Sequence, residues 1–462
     1  MREGEVIRID GMRWWLAPGA PAEAARRTIR AALAAQARGD SPNLKSGSRK
    51  QLFALTLGAG ASPDYLLKAN EYPFGSGFLR LFRRSKSRRE LRTAALVAAR
   101  GLPAPLPLAA GERRRFGRLT ACYLLVPVLE DVTDLRRLWF EASPSPAQRR
   151  TLATTLGAFS RRVHDGGLFQ DDFAPNNILV TAGRSPSFLL IDFERARLPG
   201  RVSRPMQRWM LAKLSRHMDD ATAPERMRFI KAYVEGDRRE ARRWWRELTA
   251  FAPRLALRDH RRMRRNCVTD GRNFTRLRRN GTRGFARRNV DLARLGAAST
   301  PEEAPGTPGR PRILADGTCW RIVYGPLRPQ EGREIWARAN TLWAWGRLGP
   351  RPIALLWRQG TATLFMERNA AGPLPREAEG RGGAAGALGV LLHRLAAVSV
   401  VMDSLDPTAI VIEPVGRWPL RAILLTPHAV KFQGRGMPGR DVKTLTDRLL
   451  SAWKGASFSS SA

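Results

Sequence analysis

The twelve residues FQDDFAPNNILV (169–180) constrain this chain more than any other stretch. They follow SPAQRRTLATTLGAFSRRVH, where Ser145 and Pro146 suit an N-cap and first turn. Leu152, Leu156, Phe159 and Val163 then recur at helical spacing and give one core-facing stripe. The loop runs directly into the aliphatic ILV, and a second apolar strand, SFLLIDFERARL (187–198), comes next. As a solvated turn the loop would need only its Asp, Asn and Pro. The helix before it and the two strands after it are more than a turn requires.

Phosphoryl transfer asks for such an order of parts. A carboxylate must orient the acceptor hydroxyl, an amide oxygen five positions later must help to hold magnesium, and a second carboxylate at a neighbouring strand end must bind the metal that bridges the phosphates. Asp172, Asn177 and Asp192 have these separations, whereas Asp171 lacks the spacing to Asn177. Upstream, a strand lysine should hold the nucleotide phosphates and a helical glutamate should pair with it. Lys68, in DYLLKA (64–69), and Glu90, in SKSRRELRTAALVAARG (85–101), are the candidates. Only nine of the 80 basic residues are lysine, so one placed mid-strand between leucines and alanine carries weight. LFALTL (52–57) and TACYLLVPVL (120–129) supply further short apolar strands around it.

With these residues in view, the sequence resembles the protein-kinase-like fold, and more narrowly the bacterial lipopolysaccharide core kinases that phosphorylate heptose or Kdo sugars. The resemblance rests on YLLKANEYP, SKSRRELRTAALVAARGLPAPLPLA, CYLLVPVLEDVTDL, VHDGGLFQDDFAPNNILV and LLIDFERARL in that order, over roughly residues 40–200. It implies that Lys68 binds the phosphates of ATP, that Glu90 positions Lys68, that Asp172 is the catalytic carboxylate, and that Asn177 and Asp192 hold Mg2+. Three departures stand out. Gln170 and Asp171 occupy the place of the usual His-Arg, which alters the packing and charge supporting the loop. Glu194 stands where protein kinases have the glycine after Asp-Phe, which argues against an activation segment that swings as theirs does. No full G-x-G-x-x-G precedes Lys68, and KSGSRK (45–50) is the candidate phosphate-covering turn.

The chain also matches itself. Residues 156–180 overlay 388–412 without a gap, with six of 25 positions identical. The surroundings repeat as well, REIWARANTLWAWGRLGPRPIALL standing before the second copy and ILLTPHAVKF after it. In this register Ser404 replaces Asp172, Ala409 replaces Asn177, and Thr426, two residues further along, replaces Asp192. The expected fold class is therefore α+β: a bilobal protein-kinase-like domain followed by a second, degenerate kinase-like domain. Residues 297–311, AASTPEEAPGTPGRP, read as a linker, which sets the domains at 1–296 and 312–455.

Net charge is +39, and residues 254–288 carry thirteen arginines against Asp259 and Asp270, with Phe274 and Phe285 interleaved. For a lipopolysaccharide kinase this segment would meet anionic glycolipid phosphates or an anionic leaflet, at about 1 kcal/mol per basic side chain near the surface. A nucleic-acid binder would use the same mixture on phosphates and bases. A solvated basic face is the third reading. Three widely spaced cysteines fit a reducing compartment, and neither a signal peptide nor a membrane span is apparent. The expected location is the cytoplasm, including the inner face of its membrane. The expected activity is ATP- and Mg2+-dependent phosphorylation of an inner-core sugar hydroxyl. The rivals are a kinase for another small hydroxyl compound or for protein, and a pseudokinase scaffold or nucleic-acid-binding protein.

Overall fold

The computed structural model describes residues 4–39, 42–46, 50–57, 62–72, 84–140, 142, 144–181, 186–218, 221–271, 273–279, 282–288, 290, 311–316, 319–345, 348–358, 361–368, 380–397, 400–402, 410–415, 418–432 and 444. The chain divides into two compact units, Met1–Ser215 with Ala221–Trp245, and Arg216–Asp220 with Arg246–Ala462.

The first unit opens with β1 (Val6–Ile9), β2 (Met12–Leu16), α1 (Ala22–Arg38), β3 (Asn43–Ser46), β4 (Lys50–Leu55) and β5 (Tyr65–Glu71). Next come α2 (Lys86–Ala99), β6 (Ala109–Arg115) and β7 (Arg118–Pro127). The strands form one antiparallel sheet in the order β1-β2-β6-β7-β5-β4-β3. Successive side chains of a strand point to opposite faces. Leu67 and Ala69 therefore join the core under α1, with Ile29, Leu55, Tyr123 and Leu125. Lys68 points the other way, to the face where Leu91 of α2 packs on Leu124, Ala110 and Trp15. The Ser85 side chain caps α2 by accepting the Arg88 N–H at 3.1 Å, and Gly101 takes φ 68° just beyond its end.

The rest of the unit is mainly helical. It contains β8 (Val132–Asp134), α3 (Leu135–Phe140), α4 (Pro146–Asp165), β9 (Phe169–Gln170), β10 (Ile178–Thr181), β11 (Phe188–Leu190) and β12 (Ala196–Arg197). After these come α5 (Arg204–His217), α6 (Ala223–Tyr233) and α7 (Arg238–Asn266). As the sequence predicts, Ser145 caps α4, with Gln148 closing a capping box, and Leu152, Leu156, Phe159 and Val163 are buried. A Cβ on Gly157 would come within 2.3 Å of the Phe229 carbonyl oxygen, so α4 and α6 approach as closely as glycine allows. The buried ion pair Arg149–Glu225, 2.9 Å, ties the same two helices. Short strand pairs β9–β12 and β10–β11 bring the two ends of the polar loop toward Asp192.

The second unit holds β13 (Phe274–Arg279), β14 (Thr282–Arg287), β15 (Arg312–Asp316), β16 (Cys319–Tyr324), a helix Pro329–Ala344, β17 (Pro352–Arg358) and β18 (Thr361–Glu367). Their antiparallel sheet runs β13-β14-β17-β18-β16-β15. Written from β2, the first sheet runs β2-β6-β7-β5-β4; written from β14, the second runs β14-β17-β18-β16-β15. In both, a helix stands between the third and fourth of these strands in chain order. A helix Gly380–Ala397 follows, then β19 (Val400–Met402), β20 (Ile410–Val415), β21 (Trp418–Leu424) and β22 (Val430–Phe432). The pairs β19–β22 and β20–β21 correspond in order to β9–β12 and β10–β11.

The division between the units falls inside α7, after Trp245, rather than at 297–311. Backbone pairing is the reason: Arg283–Ala286 of β14 bond to Ala354–Trp357 of β17, so the basic segment belongs with the second sheet. Composition, which suggested the cut at 297–311, does not report strand pairing. Residues 297–310 of that segment lie outside the described residues, as do 47–49 of KSGSRK, Ser404 and Ala409.

Candidate active site

The loop after β9 is braced from within. Phe173, Ala174 and Pro175 are buried, and Pro175–Asn177 form a 3-10 turn, which leaves Asp172 exposed. The Asn177 Nδ2 donates to the backbone carbonyl of Asp172 at 2.9 Å, while its Oδ1 accepts a 3.3 Å bond from Asn176. The Asn177 carbonyl accepts the Ile191 N–H at 3.0 Å, so the loop is stitched to the strand end that carries Asp192. Asp171 faces elsewhere, accepting a 3.0 Å bond from the Trp209 indole.

Asp192 adopts φ 64° and ψ 70°, a left-handed conformation that few residues other than glycine, asparagine and aspartate enter readily. Gln170 supports it. Its Nε2 donates to the carbonyls of Ile191 and Asp192 at 3.0 and 3.1 Å from a fully buried position. An amide has two N–H donors on one nitrogen. Gln170 can therefore hold both carbonyls of the turn, a role the sequence reading did not foresee for it.

Lys68 and Glu90 form an ion pair at 2.7 Å, with side chains 19% and 8% exposed. Burial opposes the charge on Lys68, but Glu90, Asp192 and Glu194 together outweigh it and hold the ammonium above its ordinary pKa. Burial pushes the Glu90 carboxyl up against the pull of Lys68. The strand lysine, the helical glutamate and Asp192 thus share one electrostatic neighbourhood, and Gln170 and Asn177 connect that neighbourhood to the Asp172 loop. All five residues singled out from sequence lie within the first unit.

Reading the sequence missed a second ionic group. Glu194 accepts from Lys50 at 3.4 Å through Oε2 and from Lys86 through Oε1. The scarcity of lysine, the signal that favoured Lys68, applies equally to these two.

Among the described residues, no group of three or more His, Cys, Asp or Glu side chains is arranged to hold a metal ion. One carboxylate and one amide oxygen are nevertheless a donor set that suits magnesium, which keeps waters and takes phosphate oxygens to complete its octahedron. Asp192 and the Asn177 Oδ1 are the atoms that would supply it.

The second unit carries a different set of ionic contacts. Glu334, on the helix Pro329–Ala344, is engaged by His260 at 3.1 Å, Arg264 at 2.7 Å and Arg338 at 3.2 Å, and its pKa is pulled down to about 2, the His260 hydrogen bond first among the causes. The face of β16 that packs toward this helix presents Trp320, Ile322 and Tyr324. Thr426 precedes the 3-10 turn Pro427–Ala429 where Asp192 precedes Phe193–Arg195.

Residues 76–233 match the model of the lipopolysaccharide kinase (Kdo/WaaP) family. The family resemblance drawn from the sequence is borne out over that segment. Among solved structures, the chain is similar to WaaP in complex with acyl carrier protein, at 19% identity over 47% of this chain and 88% of that one, TM-score 0.37. It is also similar to the kinase domain of Mycobacterium tuberculosis PknI, at 18% identity over 38% of this chain and 69% of that one, TM-score 0.25. No curated protein matches the chain.

Proposed function

We propose, from the family match over residues 76–233, that the first unit is an ATP-dependent kinase for a sugar hydroxyl, heptose or Kdo, of the lipopolysaccharide inner core. The observation that carries the reading is the Lys68–Glu90 pair sharing its field with Asp192, the residue whose turn Gln170 braces. Bound MgATP supplies the phosphoryl group, and its metal neutralises charge between the phosphates. Lys68 binds phosphate oxygens and Glu90 keeps the ammonium in place. Asn177 and Asp192 hold the metal. Asp172, exposed at the lip of its loop, orients the acceptor hydroxyl and takes its proton at the carboxylate.

The second unit is read as a degenerate kinase-like domain. Its support is the shared strand order, the apolar inner face of β16, the capture of Glu334 by three basic side chains, and Thr426 in the place of Asp192. Titration of the whole protein with MgATP should give one nucleotide per chain; two would contradict this reading. Exposed Arg258, Arg261, Arg262 and Arg265 on α7, with Arg276 and Arg278 on β13, suit contact with anionic glycolipid at a membrane surface. Among the described residues no helix is long and apolar enough to cross a membrane.

The test is acceptor choice. Purified protein is incubated with γ-labelled ATP and either core lipopolysaccharide, small free sugars or protein. Label should enter the lipopolysaccharide and be lost in Asp172→Ala. Label in protein or free sugars alone would replace the proposed acceptor. Salt-sensitive RNA binding with no ATP turnover would replace the activity.

A further inference from the structure

Lys50 opens β4, which pairs with β3, and Lys86 is the first residue of α2. These positions are far apart in sequence, yet both ammonium groups end on the same carboxylate, one on each oxygen of Glu194. Glu194 lies two residues beyond Asp192, and its charge is felt by Lys68. Lys50 in turn is felt by Glu90. Three of the nine lysines in the chain therefore surround one turn.

The composition of this group is informative. Two cations share one anion, so the cluster keeps a net positive charge. Each ammonium has three N–H donors and gives one to Glu194, which leaves four. The Lys50 and Lys86 side chains are 36% and 44% exposed, against 20% for Glu194, so the two cations are more open to solvent than the anion that holds them. A carboxylate occupied on both oxygens is a poor metal ligand. It serves well as a splint that fixes the spacing of two cations.

We propose that Lys50 and Lys86, splinted by Glu194, form a second phosphoryl-binding site beside Lys68. The site takes a dianionic phosphoryl group, either the terminal one of a nucleoside triphosphate or one carried by a phosphorylated acceptor. Lys50 and Lys86 are the binding residues and Glu194 is a positioning residue. The inference rests on Lys68 being the nucleotide-phosphate ligand, and the Lys68 arm of the test separates the two.

Full-length wild type, Lys50→Met, Lys86→Met and Lys68→Met are titrated calorimetrically with the magnesium complexes of ADP and of a non-hydrolysable ATP analogue, and with inorganic phosphate in saturating MgADP. If the source is the triphosphate, Lys50→Met and Lys86→Met each lose about tenfold in affinity for the analogue and keep their affinity for ADP, the scale of one charge-assisted contact. If the source is the acceptor, the loss appears with inorganic phosphate instead. Wild-type affinity for both probes in both variants, with only a lower Tm, would reduce the cluster to a structural staple and overturn the inference. Failure of Lys68→Met to weaken either nucleotide would overturn the functional reading, and this inference with it. Should a methionine variant not fold, acetylation of wild-type lysines followed by peptide mapping decides. Lys50 and Lys86 should be protected by the analogue or by phosphate, and unchanged labelling under both would sink the site.

Discussion

The side-chain amide of Asn177 reaches back 2.9 Å to the backbone carbonyl of Asp172. One hydrogen bond thus explains why these residues are five apart: the separation closes a loop whose buried middle, Phe173 to Pro175, cannot unwind without losing it. The bond uses the backbone of Asp172 and leaves its carboxylate exposed, as the proposed role requires. Asp172→Ala should therefore lower kcat by about a hundredfold or more, the scale of a positioned acid-base group, while shifting stability by no more than ~0.5 kcal/mol. Steady-state kinetics and a urea titration of the same preparation check both halves.

Asn177 should behave in the opposite way. Asn177→Asp keeps an oxygen for the proposed metal but removes the donor to the Asp172 carbonyl, at a cost of about 0.5–1.5 kcal/mol. The variant should lose stability as well as rate. A fall in kcat without a fall in Tm would show that the amide matters only as a ligand.

Gln170 offers a sharper test of what holds Asp192. Truncation to Ala frees two carbonyls and releases a residue kept at φ 64°, so the turn should relax toward commoner backbone angles. Gln170→Ala should raise the magnesium concentration for half-maximal rate while leaving the KM for acceptor nearly unchanged. An unchanged magnesium dependence would mean that β9–β12 pairing alone positions the turn.

These residues mark how far the sequence was legible. Asp172, Asn177 and Asp192 were readable because local spacing decides their placement, and Lys68 and Glu90 because a lysine inside an apolar strand needs a partner. Gln170 was visible only as a departure from expectation, since its carbonyl partners come from another strand. Lys50, Lys86 and Glu194 converge from three elements, and β14 pairs with β17 across the 67 residues of chain between Ala286 and Ala354. Contacts of that kind leave no periodic trace, and composition, which set the cut at 297–311, carries no information on strand pairing.

The Lys68–Glu90 pair makes a prediction about pH. In Lys68→Met, Glu90 keeps its burial and its acidic neighbour Asp192 but loses its nearest cation, so its already raised pKa rises further. A carboxyl with a raised folded pKa contributes most stability below its unfolded pKa and loses it as pH rises through the folded value. Lys68→Met should thus be more destabilised at pH 8 than at pH 5.5. Lys68→Met/Glu90→Gln should lack this pH dependence and recover part of the ~3–5 kcal/mol that breaking a buried pair can cost. Thermal melts of the single and double variants at the two pH values distinguish this from a loss of packing, which would be the same at both.

Acid should destabilise the first unit in two stages. His164 is buried, its Nδ1 2.9 Å from the Tyr233 hydroxyl, and burial lowers its pKa from 6.5 to about 3. The fold therefore holds it neutral, and the unfolded chain takes up a proton first. Its contribution is complete above 6.5 and is lost as pH falls from there toward 3. Glu225, buried against Arg149, has burial working to raise its pKa and hydrogen bonds from Arg149 and Thr222 bringing it down to about 2 from 4.5. Its contribution is complete above 4.5 and disappears toward 2. Tm should begin to fall below pH 6.5 and fall more steeply below 4.5. His164→Phe, which sets a neutral ring against Tyr233 and Phe173, should flatten the first limb, and Glu225→Gln only the second. If Glu225→Gln flattened the curve between pH 6.5 and 5, the carboxylate rather than the imidazole would be the group titrating there, and the assignment of the two limbs would be reversed.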